Sequence, residues 1–346
     1  MTSPPQAATQ TCPLCGSDQH RFLLRSFDHF EARPATVDYH RCDSCRLVFQ
    51  FPIPDPGQIA GFYSADYQPH REVSPEQVRR KLARPINRFV ARHLLHTGAA
   101  RRGWRTQLAR AAARFALQDT LLPQGSCRLL DVGCGSGSWL YHHQLLGWQA
   151  TGVDALSAAV QRARRLGLEV FEGTIFDVPI DRQFDVIAML HLIEHVPDPR
   201  ATLERAAQLL TPGGTLLLEL PNFDAWGYEQ FGIHWFPLDP PRHLAQFTPA
   251  TIEQLGAISG LKLIDLETEA APQLLARSQR LERIFGRAAL ELDPPELQRR
   301  IRLAADESSQ TRQEKRAARS RFRHEARRQA RLGRGETMRA RFRVAA

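Results

Sequence analysis

Four cysteines stand as Cys12-Pro-Leu-Cys15 and Cys42-Asp-Ser-Cys45. Each pair is a tight turn that aims two thiolates at one point, and two such turns supply the tetrahedral four-sulfur shell that zinc prefers. With no coordination position left open, such a site contributes folding energy and not chemistry. The competing interpretation is four free thiols or a redox pair, although redox C-x-x-C motifs come singly beside a βαβ unit. A second group is Gly133, Gly135 and Gly137, following the apolar Leu129, Leu130 and Val132 and preceding a helix-like stretch from Trp139 to Leu146. A strand, a glycine turn and a helix let backbone approach a ligand where no Cβ intervenes. The spacing is not G-x-G-x-x-G, and Asp131 precedes the first glycine by two residues. That anion suits an ammonium group better than a pyrophosphate, which points to an amino-acid-bearing nucleoside and away from a dinucleotide.

Two further stretches concentrate groups able to move protons. His191-Leu-Ile-Glu194-His195-Val-Pro-Asp198-Pro199 places two imidazoles about a carboxylate, and histidine titrates near neutrality. The alternative role for Glu194 and His195 is to cap and brace the next helix. Gly232-Ile-His234-Trp235-Phe236-Pro-Leu-Asp239-Pro240-Pro241-Arg242-His243-Leu244 is a long aperiodic loop rich in aromatic, cationic and imidazole groups. There Arg242 would suit a phosphate or carboxylate on an acceptor and His243 is a second candidate base, unless the loop is simply anchored in the core by Trp235.

The elements that must position these groups alternate between strands and helices. After the glycine turn come a strand over Gln149–Asp154, a helix from Ala158 to Leu166, a strand over Leu168–Gly173, and a continuous apolar strand over Phe184–Leu190. A fifth strand over Thr215–Leu220 follows the turn Pro212-Gly213-Gly214; Thr248 and Pro249 open a helix to Ser259-Gly260, and Leu261–Glu267 reads as strand six. Residues 273–331 are helical and rich in arginine and glutamate, and Met338, Ala340, Phe342 and Val344 then alternate with arginines as an antiparallel last strand, with a disordered basic tail as the alternative. The predicted fold class is α/β, a doubly wound, seven-stranded, mostly parallel sheet preceded by a small zinc-ribbon-like module. The predicted segments are a cysteine module over 1–70, a basic helical linker over 71–117, a core over 118–270, a basic helical insertion over 271–333 and the last strand within 334–346.

Asp131-Val-Gly-Cys-Gly-Ser-Gly137 resembles the first motif of class I S-adenosylmethionine-dependent methyltransferases. The resemblance implies that Asp131, Gly133, Gly135 and Gly137 hold that cofactor, that Asp154 bonds its ribose hydroxyls, and that His191 lies at the lip of its site. Asp177 is a candidate for the adenine amine, although Thr174 stands where the family often has an acid. The segment from Glu194 to Pro199 is similar to the Glu-His-Val-x-Asp-Pro stretch of small-molecule methyltransferases, which implies that His195, Glu194 and His243 surround the acceptor. The His234–Leu244 loop resembles that of bacterial methyltransferases carrying an N-terminal four-cysteine module, among them sugar C-methyltransferases. The implied acceptor is a small molecule, with a sugar nucleotide or other anionic metabolite first; ribosomal RNA methylation and cofactor binding without catalysis are the alternatives.

Composition bounds these readings. The chain has 346 residues, 42% of them hydrophobic and 24% charged, which excludes a peptide hormone or a disulfide knot. No apolar run approaches a membrane span, and the start MTSPPQAATQ lacks the basic and apolar regions of a signal peptide, so a cytoplasmic protein with reduced cysteines is expected. The net charge of +9 is unevenly spread: residues 71–114 and 310–346 each carry a net +10, leaving −11 for the remainder. Such segments suit nucleic acid, but solvated helical faces explain them as well, so nucleic acid is the second choice of partner. The oligomeric state is not encoded in any motif.

Overall fold

The computed structural model describes residues 11–29, 36–63, 128–145, 147–286, 289–306 and 311–345. The basic linker expected over 71–117 lies outside the described residues, as does Cys127.

Strands β1 (His20–Phe27) and β2 (Thr36–Cys42) pair antiparallel, with a register shift between Phe22 and Leu24. A short β3 (Val48–Gln50) pairs antiparallel with β2. The first C-x-x-C turn precedes β1 and the second joins β2 to β3, so the sheet itself carries the two turns toward each other. The proline run after Phe51 is non-helical only as far as Asp55, whose carboxylate caps α1 (Pro56–Ala60) while the Gln58 side chain returns to the Asp55 N–H.

The larger sheet is built from β4 (Arg128–Val132), β5 (Gln149–Asp154), β6 (Glu169–Glu172), β7 (Phe184–Leu190), β8 (Leu210–Pro221), β10 (Leu261–Glu269) and β11 (Thr337–Val344), in the spatial order β10-β11-β8-β7-β4-β5-β6. β4 pairs in parallel with β5 and β7, and β5 with β6, whereas β10 and β11 are antiparallel. The intervening helices are α2 (Ser138–Leu145), α3 (Ser157–Arg165), α4 (Pro199–Leu209), α5 (Trp226–Phe231) and α6 (Pro249–Ile258). Three more, α7 (Pro272–Phe285), α8 (Pro294–Ala305) and α9 (Arg312–Arg331), lie in sequence between β10 and β11. In β11 the alternation has a clear physical reading: Met338, Ala340 and Phe342 are fully buried, while Arg339 and Arg341 turn the other way and pair with Glu219 and Asp265.

A two-residue strand, β9 (Ala245–Gln246), joins the small sheet and not the large one. It pairs antiparallel with β3, Val48 opposite Gln246 and Phe49 opposite Ala245. The cysteine module is therefore completed by chain that immediately follows the Trp-Arg-His loop.

By internal contacts the chain falls into two compact units. One gathers the cysteine module with residues 191–204 and 218–345; the other comprises 128–190 and 205–217 of the described residues. The second unit is held by the core of Leu129, Leu140, Val160, Ala163, Leu168, Val170, Val186 and Leu217, where each fully buried aliphatic side chain contributes roughly 1.5–3 kcal/mol over its exposed state. Among the described residues the first unit packs around Tyr39, Val48, Phe223, Trp235 and Leu238 and, separately, around Phe27, Leu281, Phe285 and Ile301. No helix among the described residues is long and apolar enough to cross a membrane.

Candidate functional site

The four cysteine sulfurs converge. Cys12 Sγ is 3.5 Å from Cys45 Sγ and Cys15 Sγ is 3.6 Å from Cys42 Sγ, and all four lie within 4.8 Å of one another. Zinc–sulfur bonds of about 2.3 Å in a tetrahedron place the sulfurs about 3.8 Å apart, close to the two separations of 3.5 and 3.6 Å, so the donor set fits a four-thiolate zinc. Backbone N–H groups hold the turns: Gly16 N–H donates to Cys12 O, and Arg46 N–H to Cys42 O. Gly16 and Arg46 both take positive φ, 72° and 71°, as the turn requires. Cys12→Ser protein should contain one zinc fewer per chain than the parent by elemental analysis; unchanged zinc content would exclude the assignment.

The glycine loop lies in the other unit. Gly133, Gly135 and Gly137 all have left-handed φ, 74°, 54° and 77°, a region that disfavours a Cβ. At Gly137 a Cβ would also meet Leu168 Cδ1 at 2.5 Å and Ala163 Cβ at 2.9 Å, so α2 can begin there only because the side chain is absent. Gly133 N–H donates to Val153 O (2.8 Å), which ties the loop to β5. The Asp154 carboxylate accepts from Gly135 N–H (2.8 Å) through one oxygen and from Leu156 N–H (2.9 Å) through the other. Each oxygen thereby keeps a lone pair for a ligand hydroxyl. Asp131 is 3% exposed at the end of β4. Cys134 is buried, its thiol pushed above its ordinary range by burial and by Asp131 and Asp154, and it packs on Gly152. Asp177 acts locally, its Oδ2 accepting from Thr174 N–H (2.7 Å) and Thr174 Oγ1 (3.0 Å) to cap the 3-10 turn Ile175–Asp177.

The candidate proton-moving residues meet in the first unit. Beyond β7 the chain turns at His191, which takes a φ of 54° and donates its N–H to Glu219 O (2.7 Å). The 3-10 turn Ile193–His195 follows and buries Glu194, 1% exposed. Leu244 N–H donates to Glu194 O (2.8 Å), fastening the Trp-Arg-His loop to this turn. His243 Nδ1 is 2.8 Å from Pro237 O, and His195 Nδ1 is 3.0 Å from Arg242 O and 2.9 Å from Tyr63 Oη. Carbonyl oxygens only accept, so both rings carry their proton on Nδ1 and keep the Nε2 lone pair. His243 Nε2 lies 3.9 Å from Glu194 Oε1 and 3.8 Å from Asp239 Oδ2, and the two rings are 4.5 Å apart and nearly perpendicular.

The charges are set by burial and neighbours. Burial pushes His243 down to about 4 against the pull of Asp239, and burial together with His243 lowers half-buried His195, so both are neutral bases at pH 7. His191 is about half exposed, 3.5 Å from Glu194 Oε1 and 3.6 Å from Glu219 Oε1; burial opposes its charge, but the two carboxylates outweigh it and raise its pKa. Burial likewise opposes ionisation of Glu219, yet His191 and Arg339 hold it at about 2.

The loop corrects one expectation. Arg242 is 1% exposed and spends its guanidinium inside the protein: Nη1 and Nη2 donate to the two oxygens of Asp28 (3.0 and 2.9 Å), and Nε and Nη2 to Asp239 Oδ1 (3.0 and 2.7 Å). A buried fork already filled by two carboxylates is not placed to receive an anion of an acceptor. Trp235, 0% exposed, is the loop's anchor, its Nε1–H donating to Glu336 Oε2 (2.6 Å). Sequence reasoning missed Tyr63, Asp28 and Glu336. The signal available for the latter two was a lone acid beside an apolar run, at Phe27-Asp28 and at Glu336-Thr-Met338.

A family profile described as a methyltransferase domain matches residues 75–266. Among curated relatives, a ubiquinone biosynthesis O-methyltransferase of Bordetella bronchiseptica is 34% identical over 116 residues, which are 31% of this chain and 47% of that protein. One of the same description from Xanthomonas euvesicatoria pv. vesicatoria is 34% identical over 119 residues, 32% of this chain and 49% of that protein. The chain thus spans about half the length of the curated relatives it matches. Of solved structures, a SAM-dependent methyltransferase of Thermotoga maritima, a possible histamine N-methyltransferase, aligns at 17% identity and a TM-score of 0.39, covering 77% of this chain and 99% of that one.

Proposed function

The chain belongs to the methyltransferase-domain family, and from that premise we propose that it transfers a methyl group from S-adenosylmethionine to a small-molecule acceptor. The observation that carries this reading is the loop Gly133–Gly137, bent into left-handed backbone and tied through Gly135 N–H to the Asp154 carboxylate. When bound, the cofactor supplies an electrophilic methyl on a sulfonium. Asp131, Gly133, Gly135 and Gly137 would hold its amino-acid end and the Asp154 oxygens its ribose hydroxyls, with Asp177 the candidate for its adenine amine. The Nε2 lone pair of neutral His195 or His243 would take the acceptor's proton, and the Glu194 carboxylate would stabilise the imidazolium so formed. We further infer that Cys12, Cys15, Cys42 and Cys45 hold a structural zinc, which shapes the sheet that β9 completes.

A sugar nucleotide or another anionic metabolite is the first candidate acceptor, its anion to be met by groups other than Arg242. The curated relatives act, by their names, in making a small molecule. A second reading, methylation of ribosomal RNA, draws on α9, where Arg312, Arg316, Arg319, Arg323 and Arg327 are all exposed. Labelled S-adenosylmethionine incubated with the protein and separately fractionated RNA and metabolites separates the two: label in the metabolite fraction is the expected result, and label in RNA alone would overturn the first reading. A His195→Ala enzyme should bind the cofactor with parental affinity while turnover falls by roughly 10²-fold. Turnover at the parental rate would remove His195 from the mechanism.

A further inference from the structure

Glu194 is a buried carboxylate that pairs with His191 only at a distance. Its side chain is about 2% exposed and neither carboxylate oxygen makes a hydrogen bond; the nearest cation, His191 Nδ1, stands off at 3.5 Å. A buried carboxylate without hydrogen bonds is costly, and proteins rarely leave one so unless something occupies the space it faces. What it faces is two imidazoles, both with Nδ1 tied to a main-chain carbonyl, Pro237 O for His243 and Arg242 O for His195. That is the outer-shell arrangement by which proteins fix the tautomer and aim of metal-ligating histidines. One donor atom from each of Glu194, His195 and His243 lies within 4.8 Å of the others, and Asp239 Oδ2 is 3.8 Å from His243 Nε2.

We propose that Glu194, His195 and His243 form a binding site for one divalent first-row transition ion, separate from the four-cysteine zinc. One carboxylate and two imidazoles are a donor set for Mn²⁺, Fe²⁺, Co²⁺ or Zn²⁺ that leaves coordination positions open. Bonds of roughly 2.0–2.2 Å in a tetrahedron place donors about 3.3–3.6 Å apart, so donors within 4.8 Å of one another would draw together by up to about 1.5 Å through side-chain rotation. Asp239, held by Arg242, sits beyond His243 as a further carboxylate neighbour. The catalytic use of the ion rests on the methyltransferase reading; its binding does not. With the ion bound, the Nε2 lone pairs of His195 and His243 would be its ligands in place of serving as the base; an acceptor hydroxyl at the open positions would then release its proton to solvent water at lower pH, so the three side chains would act on it through the ion. This narrows the acceptor to an oxygen nucleophile, best one with a second oxygen donor beside it.

The test uses the full chain with its cysteine site filled with zinc. Titration with Mn²⁺, followed by the loss of the free-ion electron paramagnetic resonance signal, should show one site per chain. Glu194→Gln and His243→Ala should each weaken that site at least tenfold while zinc content stays unchanged. Co²⁺ added to the parent should give weak d–d bands without new thiolate charge-transfer absorption, an outcome that needs no variant. No Mn²⁺ uptake by the parent, unchanged affinity in both variants, or cobalt absorption of thiolate type alone would each overturn the proposal. Methyl transfer is measured apart from these titrations: ion binding with no methylation of any fraction would sink the functional reading and leave the metal site standing, and methylation without ion binding would do the reverse.

Discussion

Replacing Arg242 with leucine is expected to lower the unfolding free energy by about 3–5 kcal/mol, the range found when one partner is removed from a buried ion pair. The guanidinium is the shared partner of Asp28 and Asp239, and Asp28 is as buried as Arg242, at 2% and 1% side-chain exposure. Burial alone would push Asp239 toward the neutral form, yet Arg242, with His243, holds it below its ordinary value. Without the arginine, the two carboxylates lose the cation that makes their burial tolerable. Equilibrium denaturation at pH 7 checks this. The double variant Asp28→Asn with Arg242→Leu should recover part of the loss, because it removes one of the stranded charges. A single variant within about 1 kcal/mol of the parent would mean that the ion triad contributes nothing to holding the module against the loop.

The second large effect is one of pH. Glu336 is 2% exposed and its carboxyl is pushed up to about 7 by burial, against the stabilising donors Trp235 Nε1–H and Gly227 N–H. In the unfolded chain the same group ionises near 4.5. The folded protein therefore holds a proton that the unfolded chain has released, so stability falls as pH rises between these two values. The contribution is fully present below pH 4.5, is lost as pH passes 7, and amounts to about 3 kcal/mol. Glu336→Gln, which cannot ionise, should show a flatter profile: the parent's unfolding free energy minus the variant's should fall by about 3 kcal/mol between about pH 4.5 and about pH 8.5. Parallel profiles would show that the carboxyl is ionised throughout, compensated by its two donors. Gly227 cannot be altered as a control, since a Cβ there would crowd the Glu336 carboxylate.

What could be read from the sequence was what is written locally. The strand before Gly133, the acid closing the strand at Asp154, the apolar run of β7 and the Thr248-Pro249 helix start each declare themselves within a short stretch, because strand alternation, left-handed turns and caps are short-range physics. The alternation in Met338–Val344 was legible for the same reason. Arg242 was misread because a cation on a loop looks alike whether it faces water or two acids, and Asp28, which decides the matter, lies 214 residues away. Nothing near Ala245-Gln246 marks them as the fourth strand of the cysteine module, since two residues carry no periodicity. Tyr63 was passed over because its partner, His195, is 132 residues distant. The four cysteines were the exception among long-range features: paired C-x-x-C turns announce the convergence of their sulfurs in a way that packing does not.

The pairing of β3 with β9 has a consequence for how the protein is assembled. Together with Tyr39 Oη–H donating to His243 O, 204 residues away, it closes a chain loop of more than half the protein's length. Loop-closure entropy makes such contacts late events, formed only after both ends have local structure to offer. A nascent chain can form its two cysteine turns and fold the glycine loop, yet it has no His243 bracket until the segment after Trp235 has been synthesised and has docked. The module is thus no excisable appendage. Its sheet edge and the histidine loop are each other's template, and a variant that weakens one should be read out first as slow maturation of the other.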